Sequence, residues 1–165
     1  MTETNALFQL GMDLDGPGTA HEDKTAATDN VVAFNREAEA ADHFIVKNGV
    51  ACAGTHLIID LVDAEGLADI DLIDAAMREC VTASGATLLH IHLHPFTPEG
   101  ISGVSGVAVL AESHISIHTW PERGYAALDV FMCGDSQPEK CIDVLKKHFR
   151  PGEVKVSELL RGSNL

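Results

Sequence analysis

The sequence predicts an α+β fold, a two-layer α/β sandwich in which a mainly antiparallel sheet is covered on one face by helices. Segments with the apolar patterns of strands outnumber the two segments with helical periodicity. Two helices can cover one face of such a sheet, which leaves the other face open. The 165 residues, 45% of them hydrophobic, suffice for one core of this kind.

Strands are predicted where β-branched and apolar residues run continuously or alternate with polar ones. Residues 87–94 are the clearest case, because Leu89, Ile91 and Leu93 alternate with three histidines. Residues 95–106 contain two prolines and three glycines and are interpreted as a loop. The predicted strands span residues 55–62, 87–94, 107–110, 113–118, 125–133 and 154–157.

Two helices are predicted from apolar residues that recur at intervals of three and four. The first begins after the cap residues Asp69 and Asp71 and ends near Ser84. The second follows a capping box at residues 136–139 and stops before Pro151. Their inward-facing residues are expected to be Ile73, Ala76, Met77 and Cys80 in the first, and Cys141, Ile142, Leu145 and Phe149 in the second.

The chain is expected to divide into an extension and one folded domain. Residues 1–48 begin with a polar stretch of small residues, broken by Gly16-Pro17-Gly18 and without a clean apolar period, so they are interpreted as a flexible amino-terminal extension. Residues 49–165 are predicted to form the domain.

Charge and cysteine usage restrict the partners. The 25 acidic residues against 11 basic ones give a formal net charge of −14, which repels nucleic acid and anionic lipid and favours a small cationic ligand. The four cysteines have no CxxC or CxxH spacing, and no signal peptide or membrane-spanning run is apparent. A cytoplasmic protein with reduced thiols and no bound metal is expected.

Three histidines on one strand leave one alternative open. His90, His92 and His94 share a strand face, so a non-enzymatic metal-binding protein could be built on them. A solvated strand face is the preferred interpretation, because no HExxH or related pattern accompanies them.

Two other kinds of enzyme find little support in the sequence. Neither Ser102 nor Ser105 lies in a G-x-S-x-G elbow, and the glycines do not match a dinucleotide-binding loop. A triad of Ser113, His118 and Asp129 stays possible, although nothing in the pattern selects it.

Several long segments of the chain together form one extended motif. They are GTHLIID at 54–60, SGATLLH at 84–90, GISGVSG at 100–106, VAVLAESHISIHTWPE at 107–122 and GYAALDVFMCG at 124–134. This set of segments resembles the prokaryotic S-adenosylmethionine decarboxylase proenzyme family. The resemblance covers roughly residues 50–160 and implies the two-layer fold of that family. A similarity of this length is far more specific than a short motif.

The resemblance implies that the chain cleaves itself between Glu112 and Ser113. Ser113 would become a pyruvoyl group, the cofactor, which forms a Schiff base with the substrate amine. His118 would help to remove the serine α-proton. A serine of the Ser-Gly loop would polarise the scissile carbonyl, and counting back along the strand favours Ser105 over Ser102.

The resemblance also implies roles in turnover. Cys133 matches the residue that returns a proton to the substrate α-carbon, Glu122 a carboxylate that binds the ribose hydroxyls, and Phe96 a ring that stacks on adenine. The implied reaction converts S-adenosylmethionine to its decarboxylated form, the aminopropyl donor for spermidine. A homodimer with shared active sites is expected. A pyruvoyl-dependent arginine or ornithine decarboxylase is the nearest alternative.

Overall fold

A computed structural model of the chain describes residues 44–96 and 103–163. The elements in chain order are β1 (Ile45–Lys47), β2 (Val50–Cys52), β3 (Gly54–Val62), α1 (Ile70–Ser84), β4 (Leu88–Phe96), β5 (Gly103–Leu110), β6 (Ser113–Trp120), a 3-10 helix (Pro121–Arg123), β7 (Tyr125–Met132), α2 (Lys140–Phe149) and β8 (Glu153–Arg161).

Six of the strands form one antiparallel sheet in the order β4-β5-β6-β7-β3-β8. From β4 to β7, strands that are neighbours in sequence are also antiparallel neighbours in the sheet. β3 instead lies between β7 and β8, and both helices pack on the same side of the sheet. The predicted α+β sandwich is therefore confirmed.

The core lies between the helices and one face of the sheet. Every second residue of β3, namely Leu57, Ile59 and Leu61, is buried there. All the predicted inward residues of α1 are buried, and so are Cys141, Leu145 and Phe149 of α2. Ile142 packs against the cluster but is only partly buried. Aliphatic side chains dominate this core, as the low aromatic content of 5% requires.

Asp69 and Gly85 cap α1 as predicted, whereas Asp71 lies inside the first turn of the helix. The Asp69 carboxylate accepts hydrogen bonds from the backbone N–H groups of Asp71 and Leu72, both at 3.1 Å. Gly85 ends the helix with φ of 75°, a left-handed conformation that costs little without a side chain.

The predicted capping box of α2 is wrong. The helix begins at Lys140, and the residue before it, Glu139, makes no side-chain cap hydrogen bond. The backbone N–H of Gln137 donates to the Ser84 carbonyl at 2.9 Å instead. The segment before α2 is thus held by the end of α1, a tertiary contact that outweighs the local capping pattern.

The predicted loop at 95–106 is partly wrong, because β4 continues to Phe96 and β5 begins at Gly103. Pro95 is tolerated because β4 is an edge strand.

The predicted alternation of buried and exposed residues in β4 fails at Leu89, which is 63% exposed, since the register shifts between Leu88 and His90. Pairing with all nine residues of β3 likewise makes β8 longer than predicted.

The first described strands, β1 and β2, form a hairpin. The predicted boundary between residues 48 and 49 falls in its turn, where Asn48 and Gly49 both have positive φ. Residues 1–43 of the predicted extension lie outside the described residues.

The second face of the sheet carries no helix from residues 44–96 or 103–163. We call it the helix-free face; across the strands it presents His56, Ile58, His92, His94, Ser105, Val107, Val109, His114, Ser116, His118, Asp129, Phe131 and Leu159. Several of its large apolar side chains are substantially exposed, with Ile58 at 40%, Val109 at 41% and Leu159 at 48%. Within the described ranges, no helix has the length and apolar content needed to cross a bilayer.

Candidate active site

The peptide between Glu112 and Ser113 lies where the β5–β6 turn enters β6. Ser113 has φ of 153°, a backbone region that residues other than glycine rarely adopt. Such a conformation costs about 1–3 kcal/mol and persists only when its surroundings hold it. The Glu112–Ser113 segment is therefore strained.

Cys133 holds the acyl side of this peptide. The Glu112 carbonyl accepts a hydrogen bond from the Cys133 backbone N–H at 3.2 Å and another from the Cys133 thiol, with Sγ at 2.9 Å. Two donors on one carbonyl oxygen polarise it and can stabilise negative charge that develops there.

The sequence analysis did not anticipate this contact, since it gave Cys133 a role in turnover only. The register of β6 and β7, which pairs Ser113 with Met132, carries Cys133 past the strand end to the Glu112 carbonyl. No local sequence signal joins residues 21 positions apart.

Thr87 anchors the same turn from the opposite side. Its backbone N–H donates to Glu112 Oε2 at 2.9 Å, and its carbonyl accepts from the Ala111 N–H at 3.0 Å. Thr87 directly precedes β4, so this anchor ties the turn to another strand of the sheet.

His118 and Ser105 form a second group on the helix-free face. They lie opposite each other in the β5–β6 register, and Ser105 Oγ is 3.1 Å from His118 Nδ1. Both line a shallow hollow of about 310 Å³. The other residues of the hollow are His92, His94, Gly106, Val107 and Ser116.

The two groups lie apart within one chain. Ser113 and His118 are five residues apart on β6, which corresponds to about 16 Å at roughly 3.3 Å per residue. Glu122 is exposed in the 3-10 helix beyond the end of β6 and is farther still from Ser113. One chain therefore assembles Glu112, Ser113 and Cys133, but it does not bring His118, Ser105 or Glu122 to them.

Two of the predicted site residues lie partly or wholly outside what the structure describes. Ser102 lies outside the described residues. Phe96 ends β4 opposite Gly103, and its backbone alone is described. Their predicted roles stay predictions.

The helix-free face also carries a polar chain that the sequence analysis missed. Arg161 Nη1 is 3.2 Å from His56 Nδ1, and Ser116 Oγ donates to Asp129 Oδ2 at 3.1 Å. Since a guanidinium only donates, His56 Nδ1 accepts and the ring proton lies on Nε2. That atom is 3.4 Å from Asp129 Oδ1, without the alignment of a hydrogen bond. Four separate strands contribute these residues, so no sequence spacing indicates them.

The carboxylate of Asp60 and the phenol of Tyr125 interact on the same sheet. The Tyr125 hydroxyl donates to Asp60 Oδ1 at 2.6 Å. This hydrogen bond, with a smaller effect from partial burial, raises the pKa of Tyr125 above its ordinary value, because the neutral phenol is the donor.

Neither the metal site nor the triad is assembled. Within residues 44–96 and 103–163, no group of three or more His, Cys, Asp or Glu side chains is placed to hold a metal ion. The rings of His92 and His94 stack with centroids 6.5 Å apart. Asp129 contacts Ser116 and His56 rather than His118, and His118 is remote from Ser113. A histidine metal site and a serine triad are therefore not favoured.

The comparisons with known proteins agree with the resemblance. The family model for S-adenosylmethionine decarboxylase matches residues 55–162. The S-adenosylmethionine decarboxylase proenzyme of Thermomicrobium roseum is 44% identical over 110 residues, covering 66% of this chain and 93% of that protein. The proenzyme of Methanococcus maripaludis is 46% identical over 112 residues, covering 66% of this chain and 89% of that protein.

A solved structure of an adenosylmethionine decarboxylase also resembles this chain. The adenosylmethionine decarboxylase from Aquifex aeolicus VF5 superposes with a TM-score of 0.60 and 31% identity, covering 67% of this chain and 92% of that one. The family match, these relatives and the shared fold establish that this chain belongs to the S-adenosylmethionine decarboxylase family.

Proposed function

We propose that the chain is a self-processing, pyruvoyl-dependent enzyme that decarboxylates S-adenosylmethionine and so supplies the aminopropyl donor for spermidine. The observation that carries the proposal is the strained backbone at Ser113 beside a Glu112 carbonyl held by two donors of Cys133. Family membership supports the substrate, because relatives at 44% and 46% identity bear the name S-adenosylmethionine decarboxylase proenzyme.

Self-cleavage starts from the Ser113 hydroxyl. Its oxygen attacks the Glu112 carbonyl, the C–N bond breaks, and an ester joins the two residues while the serine nitrogen becomes an amine. Loss of the Ser113 α-proton then expels the Glu112 carboxylate and leaves a dehydroalanine. Water hydrolyses that residue, releasing ammonia and leaving a pyruvoyl group. Strain at Ser113 and donors on the carbonyl both favour the first step.

The residues around Ser113 fit the pyruvoyl group. It would occupy the beginning of β6, close to Cys133, after the Glu112 carboxylate has left. When present it binds the substrate amine covalently and withdraws electrons from the carboxylate that leaves. Cleavage frees the Cys133 thiol from the scissile carbonyl, so that it can return a proton to the substrate α-carbon.

In a homodimer of processed protomers, each active site would combine residues of both copies that lie far apart within one chain. The separation of about 16 Å between Ser113 and His118 supports this arrangement. A two-fold axis across β6, midway between these two residues, would bring His118 of one copy to Ser113 of the other. Packing the helix-free faces together would also bury Ile58, Val109 and Leu159, which are exposed in the single chain.

The same arrangement accounts for the proposed substrate contacts. Glu122 lies at the end of β6 where His118 is located, so it would join the site of the other copy and bind the ribose there. Phe96, at the end of β4, would approach from that end as well. A sulfonium substrate is cationic and suits a chain of net charge −14. Four free thiols suit the reducing cytoplasm, where we place the enzyme.

The substrate proposal is tested by carbon dioxide release. Purified protein is incubated separately with S-adenosylmethionine, arginine and ornithine, each labelled in the carboxyl carbon. We expect labelled carbon dioxide from S-adenosylmethionine alone. Release from arginine or ornithine, with none from S-adenosylmethionine, would reassign the enzyme to the amino-acid decarboxylases.

The two roles proposed for Cys133 are separated by two substitutions. Cys133→Ser keeps a hydroxyl donor for the Glu112 carbonyl, so its self-cleavage should stay near the wild-type rate. Cys133→Ala keeps only the backbone donor and should cleave at least about tenfold more slowly. Both variants should lose most decarboxylation once processed, because neither retains the thiol.

Gel densitometry over time measures cleavage, and carbon dioxide release by the processed fraction measures turnover. Cys52→Ala, which removes a buried thiol of the hairpin, is the control and should preserve both rates. Equal cleavage by the Ser and Ala variants would remove the carbonyl-holding role from the thiol.

A further inference from the structure

The side chain of Glu112 makes a contact that the proposed reaction does not use. Its Oε2 accepts the Thr87 N–H at 2.9 Å, while its own carbonyl is the one held by Cys133. The side chain is half-buried, and it bonds to backbone, which keeps its place when nearby side chains change. A carboxylate accepting from an N–H forms a stronger hydrogen bond than a neutral acceptor.

We propose that the Glu112 carboxylate is a positioning residue for self-cleavage, acting by fixing the β5–β6 turn on the Thr87 backbone. The proposal rests on the self-processing function proposed above and adds a device that favours its first step. Glu112 thereby acts through its side chain as well as contributing the carbonyl that is attacked.

The reason is the strain at Ser113. A residue with φ of 153° relaxes if the backbone beside it can rotate, so the strain lasts only while the neighbouring segment is anchored. That segment is the two-residue turn of Ala111 and Glu112, between the end of β5 and the start of β6.

Thr87 and Cys133 both anchor this turn. Thr87 accepts from the Ala111 N–H at 3.0 Å and donates to the Glu112 side chain, and Cys133 holds the Glu112 carbonyl. A substitution can remove the Glu112 side chain from this set while the backbone bonds remain, as it can for the Cys133 thiol. The Glu112 side chain also holds the acyl residue itself, so its loss lets the carbonyl turn away from the Ser113 hydroxyl.

Two substitutions of similar length test the role. Glu112→Gln keeps an oxygen that can accept the Thr87 N–H, whereas Glu112→Met keeps the length of the side chain and loses the acceptor. We expect self-cleavage to slow by about 10- to 100-fold in the Met variant, as for loss of a hydrogen bond to a charged group. The Gln variant should stay within about threefold of wild type, because a neutral acceptor replaces the charged one. Glu153→Ala, which removes an exposed carboxylate of β8, is the charge-matched control.

Hydroxylamine identifies the step that is affected. This nucleophile cleaves an ester directly, so it releases fragments from any variant that completes the acyl shift and then stalls. His118→Ala should accumulate ester and be cleaved rapidly by hydroxylamine. Glu112→Met should respond little, since its acyl shift is the slow step. Ester accumulation in Glu112→Met, with release as fast as in His118→Ala, would overturn the proposal.

Folding is checked in the uncut state. Each Glu112 variant is combined with Ser113→Ala, and its thermal unfolding is compared with that of Ser113→Ala alone. If the Met variant unfolds at the assay temperature, the rates are compared at a lower temperature at which both variants are folded. Equal cleavage rates of the folded Met and Gln variants would overturn the positioning role. Absence of cleavage between residues 112 and 113 in the wild-type chain would instead overturn the proposed function.

Discussion

Replacement of Ser113 by Ala is expected to leave one intact chain of 165 residues without decarboxylase activity. Alanine has no hydroxyl to attack the Glu112 carbonyl, so neither the ester nor the pyruvoyl group can form. The wild-type chain should instead give two fragments, residues 1–112 and 113–165. Intact-mass measurement distinguishes the two results.

The second wild-type fragment, residues 113–165, should have a distinctive mass and a blocked amino terminus. It should be lighter by one ammonia than the fragment that simple hydrolysis of the peptide bond would give, and its amino terminus should resist sequencing. Ser116→Ala, which removes another hydroxyl from β6, is the control and should be cleaved like wild type. A cut between residues 112 and 113 that persists in Ser113→Ala would contradict self-processing by this serine.

A chain carrying His118→Ala is expected to be cleaved only when it is co-expressed with a chain carrying Ser113→Ala. Alone, each variant lacks one required group in both sites of its homodimer. In the mixed dimer, Ser113 of the first chain meets His118 of the second, so one complete site is restored. With random pairing, about half of the His118→Ala chains should be cut.

Different affinity tags on the two chains allow the mixed dimer to be isolated and its fragments identified. The matched control replaces the second chain by one carrying both substitutions, which has no His118 to offer, and no cleavage is expected. If His118 acts within its own chain, the mixed dimer will stay uncut. That result would contradict the shared site, whereas the Ser113→Ala prediction would still stand.

The sequence was most informative where the determining interactions are local. Asp69 and Gly85 mark the ends of α1 because a cap and a left-handed terminus depend on a few adjacent residues. The spacing of Ile73, Met77 and Cys80 predicted the buried side of that helix correctly. Capping of α2 was mispredicted because a tertiary hydrogen bond from Gln137 competes with the local pattern.

The family could also be predicted from the sequence, since the long motif around Ser113 is specific to it. The same motif predicted an extended strand over residues 113–118, and the observed β6 contains that strand. Ser113 and His118 therefore lie about 16 Å apart, at roughly 3.3 Å per residue.

By itself, the sequence thus determined the two-layer fold, the family and the residue types available for the chemistry. The tertiary structure decided which of them meet. Register across β6 and β7 placed Cys133 on the Glu112 carbonyl, and the Thr87 contact anchored the turn beside the strained Ser113. Strand register and backbone strain depend on contacts between residues far apart in the chain, and a local pattern of side chains does not encode them.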